Sequence, residues 1–170
     1  MRNGIASGRA PCFTHNRSAM NPLHIRLATP ADADTIALLF DAYRQFYEQA
    51  PDLAAAQRFI TDRLTRGESS ILIAFDASSA AIGFCQLYPT FCSVEAAPIY
   101  TLYDLFVSPT ARKTGAGRAL LIAARDHARA QGKVRMDLTT AHTNTSAQSL
   151  YESLGWVHDT VFRAYSQRVG

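Results

Sequence analysis

Arg112-Lys113-Thr114-Gly115-Ala116-Gly117-Arg118 sets basic side chains and two glycines between an apolar run ending Leu105-Phe106-Val107 and a stretch of helical period. Such a junction is a ready anion site. The first N–H groups of a helix lack intrahelical acceptors and lie at the positive end of its dipole, so a pyrophosphate can accept from several of them together. Glycine at 115 and 117 removes the Cβ that would hold phosphate oxygens away from the backbone. Arg112, Lys113 and Arg118 add charge of the complementary sign. Taken alone, the spacing leaves open a purely structural turn with solvated basic residues. A Rossmann site and a P-loop are set aside, because neither a three-glycine fingerprint after a first strand nor a Gly-Lys-Ser/Thr ending is present.

The other chemistry-bearing residues are scattered. Cys12, Cys85 and Cys92 are odd in number and lack metal-ligand spacing, so neither a disulfide framework nor a zinc site is expected, and no metal is assigned. His127 lies among Ala123, Ala124 and Ala128 and reads as a packed histidine, whereas His142, just before Asn144, is nearer the interesting region. Tyr43, Tyr47, Tyr88, Phe91, Tyr100 and Tyr103 read mostly as core, although their ring faces suit a cationic amine.

The elements that must position these groups follow from periodicity. Leu23 to Ala28 reads as a strand. Thr29-Pro30-Ala31-Asp32 supplies an N-cap hydroxyl, a first-turn proline and an acid, ahead of a helix with Ile36, Leu39, Phe40, Tyr43 and Tyr47 on one stripe. Leu53, Ala56, Ile60 and Leu64 mark a second helix ended by Gly67. Ile71 to Phe75 and Ile82 to Tyr88 form an antiparallel pair around a turn at 76–80, with Pro89 expected to end or displace the pairing. Ile99 to Val107 is a long strand, Gly115 to Gln131 a helix closed by Gly132, and Val134 to Leu138 a strand. A helix from Thr145 to Leu154 is closed by Gly155, and Val157 to Tyr165 is expected as a final strand. The order implies an α+β (mixed α/β) fold: a mostly antiparallel mixed sheet of six or seven strands with about four helices.

Length and composition fit one domain. The chain has 170 residues, 48% of them apolar, and a net charge of +3 without a basic block, so nucleic acid is not an expected partner. No apolar run approaches the roughly 20 residues that span a bilayer, so no membrane association is expected and the cytoplasm is the expected compartment. Residues 1–20 lack hydrophobic period and read as a mobile extension, with the domain running from 21 to 170.

In order along the chain, these residues resemble the GNAT superfamily of N-acetyltransferases over about residues 22–166. The signature Arg/Gln-x-x-Gly-x-Gly/Ala stands here as Arg112-Lys113-Thr114-Gly115-Ala116-Gly117. It is preceded by Leu105-Phe106-Val107 and followed by Asn144 and Leu150-Tyr151-Glu152-Ser153-Leu154-Gly155-Trp156. The runs Leu87-Tyr88-Pro89-Thr90-Phe91 and Tyr103-Asp104-Leu105-Phe106-Val107 look like diamine and related small-amine acetyltransferases.

The resemblance implies an acyl-CoA N-acyltransferase fold and transfer from acetyl-CoA to a primary amine of a small molecule, through a ternary complex. Protein lysine or N-terminal acetylation, or a non-catalytic acyl-CoA sensor, are the alternatives, and a homodimer is the family habit. It implies that the strand ending at Val107 splays from Val134–Leu138, that Leu105, Phe106 and Val107 meet the cofactor arm, and that an N–H near Val107 stabilises the developing oxyanion. The pyrophosphate would sit on Lys113, Thr114, Gly115, Ala116, Gly117 and Arg118, with Arg112 and Asn144 contributing. Tyr151 falls where the family has a general acid, although Ala147, Leu150 and Leu154 share its apolar face and Asn144 is also a natural N-cap. Where the diamine enzymes carry a glutamate, this chain has Tyr103. The base is therefore unassigned, with a water held by Tyr103 or a backbone carbonyl as the working idea, and Tyr103 and Asp104 are candidate substrate contacts.

Overall fold

The computed structural model describes residues 23–170, so the extension expected over 1–20 and the start of the domain at 21 lie outside the described residues. Strand β1 (His24–Leu27) passes through Thr29 and a short 3-10 turn, Pro30–Asp32, into α1 (Ala33–Phe46). Asp32 secures this entry: it accepts from the Thr29 amide at 2.8 Å and from the Arg26 guanidinium at 2.6 and 2.8 Å. Helix α2 (Leu53–Arg66) starts under the Asp52 carboxylate, which accepts from the Ala55 amide at 2.8 Å, and stops at Gly67 with φ +63°. There follow β2 (Ser70–Phe75), β3 (Ala81–Cys92), β4 (Ala97–Val107), α3 (Ala116–Ala130), β5 (Met136–Asp137) and α4 (Thr145–Glu152).

The strands form one sheet in the order β1-β2-β3-β4-β5, antiparallel except for the last pair. Period-two alternation gives the sheet two apolar faces, and each is covered by a helical stripe. On one face Ile36, Phe40 and Ile60 of α1 and α2 meet Ile71, Ile73, Phe84 and Phe106. On the other, Leu120, Leu121 and Ala124 of α3 meet Leu72, Cys85, Leu87 and Leu102, with Leu150 and Tyr151 of α4 packed alongside.

The α+β mixed-sheet class is the one read from the sequence, but with five strands among the described residues rather than six or seven. Three local expectations are corrected. Pro89 does not end β3, which runs to Cys92 with Pro89 opposite Tyr100. The reason is flank geometry. Tyr100 donates its amide to Arg135 O across β5 at 3.0 Å, so its pairing with Pro89 is a non-hydrogen-bonded one. The missing N–H of Pro89 thus faces the flank beyond the last β2 pairing, Ser70 with Leu87. The final strand expected over 157–165 is not formed. Asp159 accepts from the Val161 and Phe162 amides at 2.8 and 2.9 Å, bending the chain mid-run and leaving Val157, Val161, Phe162 and Tyr165 exposed. The strand expected over 134–138 shrinks to Met136–Asp137.

The β3–β4 contact that carries the site is tight at one point. A Cβ on Gly83 would lie 2.6 Å from the Phe106 carbonyl oxygen, and neither backbone can yield without breaking the ladder. Gly83→Ala is therefore expected to destabilise the fold by about 1–3 kcal/mol, read as a lower denaturant midpoint.

Candidate active site

The site begins with a fault in β4. Tyr100 and Leu102 pack towards α3, as alternation requires. Then the register shifts: Leu87 pairs with Leu102 but Gln86 pairs with Asp104, so Tyr103 is an extra residue on β4. A bulge of this kind bends a strand and re-aims its side chains. Beyond it Phe106 turns towards α1 and α2, while Leu105 and Val107 turn towards α3. Tyr103 is left 70% exposed and Asp104 only 4%. β5 pairs with β4 only at Tyr100–Met136 and Thr101–Asp137, ahead of the bulge. From Leu102 to Val107 that edge of β4 has no strand partner among the described residues, which is the splayed arrangement that the family resemblance implies.

The mouth of α3 faces this open edge. Lys113 (φ +64°) and Gly115 (φ +93°) carry the chain through left-handed conformations into the helix. The first backbone bond of the helix runs from Ala119 N to Gly115 O at 3.0 Å, and the amides of residues 113–118 find no acceptor among the described residues. Helices α2 and α4 begin differently. Asp52 caps α2 and Asn144 caps α4, whereas Gly115 leaves α3 without a side-chain cap. Arg112 donates Nε to Val107 O at 3.3 Å and lays its guanidinium over Phe46 at 5.3 Å. Arg118 donates to Ser153 Oγ at 2.7 Å. Among the described residues, Arg112, Lys113 and Arg118 form no ion pair, so their charge is available to an anion.

Together these parts enclose a cleft of about 560 Å³, within the ~300–1,000 Å³ range of small-molecule sites. Its walls include Tyr103, Leu105, Phe106, Val107, Arg112, Lys113, Gly115, Ala116, Gly117, Arg118, Asn144 and Tyr151. Phe106 is on the wall while its ring packs in the core beside Phe84 and Tyr43. Two expected site residues stand apart. The Thr114 hydroxyl closes the turn on Ala111 O at 2.7 Å, off the wall, and Asp104 lies buried behind the wall. Asn144 accepts from the Ala147 amide at 3.4 Å as the N-cap of α4, and its side chain also faces Thr140. Sequence reasoning missed Phe46, Thr139, Thr140, Ser146 and Leu150. It also took Tyr43 and Tyr47 mostly for core, yet both line the cleft. The signal for the threonines is positional: they follow β5 directly, on the side where it has parted from β4.

Burial, and then proximity to Tyr47, raises the pKa of the Tyr151 phenol above its ordinary value, which keeps it protonated at neutral pH. Burial likewise raises Asp104, opposed by the hydrogen bond it accepts from Gln86 at 2.7 Å. Cys85 is fully buried and its thiol is pushed up to about 12, so it offers no thiolate. His127 is stacked on Tyr100 at 5.9 Å with its pKa lowered by burial, and His142 is exposed; neither is on the wall. Among the described residues no cluster of His, Cys, Asp and Glu is placed to hold a metal ion, and no helix is long and apolar enough to cross a membrane.

The model of the acetyltransferase (GNAT) family matches residues 34–156. An N-acetyltransferase of Bacillus subtilis (strain 168), described as uncharacterised, is 50% identical over 147 residues, covering 86% of this chain and 98% of that protein. A crystal structure of a probable acetyltransferase superposes with a TM-score of 0.81 at 36% identity, over 86% of this chain and 98% of the other. An aminoglycoside N-acetyltransferase in complex with CoA shares the fold, with a TM-score of 0.74 at 20% identity over 88% and 97% of the two chains. A family model spanning most of the folded chain, with a half-identical relative matched nearly end to end, shows that this protein belongs to the GNAT family and is an acyl-CoA-dependent N-acetyltransferase.

Proposed function

We propose that the protein moves the acetyl group of acetyl-CoA directly to the primary amine of a small molecule, with both substrates bound together and no acyl-enzyme. One observation carries the reading: the uncapped amides of residues 113–118 open into the same cleft as the unpaired edge of β4 and the Tyr151 phenol. These residues fit a diphosphate joined to a thioester arm. The amides and the positive end of α3 would hold the diphosphate, with Lys113, Arg112 and Arg118 supplying opposite charge. The free groups of Leu105–Val107 would hydrogen-bond the arm as an added strand would, and an amide near Val107 would stabilise negative charge at the acyl oxygen. Acetyl-CoA, when bound, supplies an acyl group activated by its thiolate leaving group.

The acceptor must present a neutral nitrogen, because an alkyl ammonium, with a pKa near ~10.4, has no lone pair. Tyr151, a protonated phenol on the cleft wall, would donate its proton to the departing sulfur. A cysteine route gains no support from Cys85, which lies outside the cleft. The phenols of Tyr43, Tyr47 and Tyr103 leave the acceptor end aromatic, which suits a small cationic amine.

Thiol release from acetyl-CoA, measured with purified protein against polyamines, amino acids and peptides, is expected to depend on a small amine. Release only with peptides would move the assignment to a protein substrate. CoA binding without turnover on any acceptor would leave a sensor.

A further inference from the structure

The acceptor end of the cleft has an aromatic wall and no acid. At the end of α1, Phe46 stands edge-on to Tyr47 at 5.2 Å, and Tyr43, one turn earlier, stands edge-on to Tyr47 at 5.1 Å. All three line the cleft, and the bulged Tyr103 of β4 joins them, exposed and edge-on to Tyr88 at 5.8 Å. Among the described residues no Asp or Glu lines the cleft, and residues 1–22 contain neither. The acids near this end in sequence are placed elsewhere. Asp104 is buried off the wall and accepts from Gln86 Nε2 at 2.7 Å, while Gln86 accepts from Ser69 Oγ at 2.7 Å. Asp41 is buried and accepts from the Asp52 amide and from Gln45 Nε2, each at 2.9 Å. Glu48 is exposed and off the wall, on a residue with φ +61°. The fixed charges on the wall are those of Arg112, Lys113 and Arg118, all cationic.

We propose that the acceptor is a primary monoamine with an aromatic body, and that diamines and polyamines are selected against. The inference rests on the small-amine reading and names the class within it. A single ammonium arriving at this end meets ring faces, which attract a cation. Its body packs on the same rings, edge-to-face or offset, and sheds apolar surface from water. A second ammonium finds no such place. It would leave water for a wall without a carboxylate, where an unpaired charge is costly, and the three wall cations offer it only repulsion. Selectivity therefore comes from a missing partner as much as from the rings. The transfer itself needs no further reactant. The docked ammonium gives a proton to water and becomes the neutral amine, and a C–N bond to the acetyl carbon forms as the C–S bond breaks. The nitrogen's surplus proton leaves to water, the thiolate takes a proton from Tyr151 that water restores, and the products are the N-acetyl amine and CoA thiol.

Thiol release with phenethylamine, n-butylamine and putrescine is the measurement, each kcat/KM being referred to the fraction of free amine. Putrescine is n-butylamine with a second amino group, so that pair isolates the extra charge, and phenethylamine isolates the ring. The expected order is phenethylamine, n-butylamine, putrescine, with at least about tenfold in kcat/KM at each step. Tyr103→Glu places a carboxylate at an exposed position on the wall. In protein that still binds CoA it is expected to reverse the last step, so that putrescine overtakes n-butylamine. Structural damage alone would lower both rates together and leave their order unchanged. Putrescine used as well as phenethylamine by the wild type, or an unmoved putrescine to n-butylamine ratio in CoA-binding Tyr103→Glu, overturns the aromatic-monoamine assignment while leaving the small-amine reading intact. A wild type that binds acetyl-CoA yet acetylates none of the three overturns the small-amine reading and this assignment with it.

Discussion

Tyr151→Phe is expected to lower kcat for acetyl transfer by about 10²–10³-fold while leaving the acetyl-CoA Kd within about twofold. The expectation comes from what the substitution removes. Phe keeps the ring that packs beside Trp156, at 6.0 Å between centroids, and that closes the apolar edge of α4, so the wall of the cleft survives. Only the proton donor goes. The thiolate must then leave unprotonated or take its proton from water, which raises the barrier of that step alone. The wild-type pH profile carries the same signature. Because burial raises this phenol, the acid form persists above the ordinary tyrosine value of ~10, so the alkaline fall of kcat should come later than a free phenol would give. Full activity in Tyr151→Phe would reduce the residue to a packing role.

Gly117→Leu is expected to weaken CoA binding by at least about 100-fold, equivalent to ~2.7 kcal/mol, with the melting temperature little changed. A Cβ at Gly117 would meet only Leu150 Cδ2 at 3.5 Å and Val107 Cγ2 at 3.9 Å, ordinary contacts that the fold tolerates. The added side chain would nevertheless grow between the unpaired end of β4 and α4, where the arm and diphosphate are proposed to lie. Calorimetric titration with CoA separates the cases. Near-native affinity in a folded Gly117→Leu protein would mean that the nucleotide binds elsewhere.

What was legible in the sequence was local. The uncapped helix mouth could be read because the glycines, the basic residues and the preceding apolar run are neighbours in the chain. The same holds for the cap at Asn144 and for the stops at Gly67 and Gly132. Features that depend on a second strand could not be read. Tyr103 becomes a bulge only because Gln86 and Leu87 of β3 take Asp104 and Leu102 as partners, a register relation that no pattern within β4 reveals. Pro89 was misjudged because its missing N–H matters only where a neighbouring strand would have accepted it. The run from Val157 to Tyr165 has strand-like composition, but the Asp159 carboxylate turns it on itself. Tyr43 fits the buried stripe of α1, yet it borders the cleft because β4 opens beneath it. The cofactor end of the site was therefore visible from the turn, whereas the acceptor end had to wait for the bulge.

The free amides at the start of α3 are expected to hold the coenzyme A diphosphate. A crystal structure of the protein soaked with CoA tests it most directly. Diphosphate oxygens within hydrogen-bond distance of backbone nitrogens among residues 113–118 are the expected result. A diphosphate bound elsewhere, with the helix mouth filled by solvent or by the protein's own side chains, would contradict it.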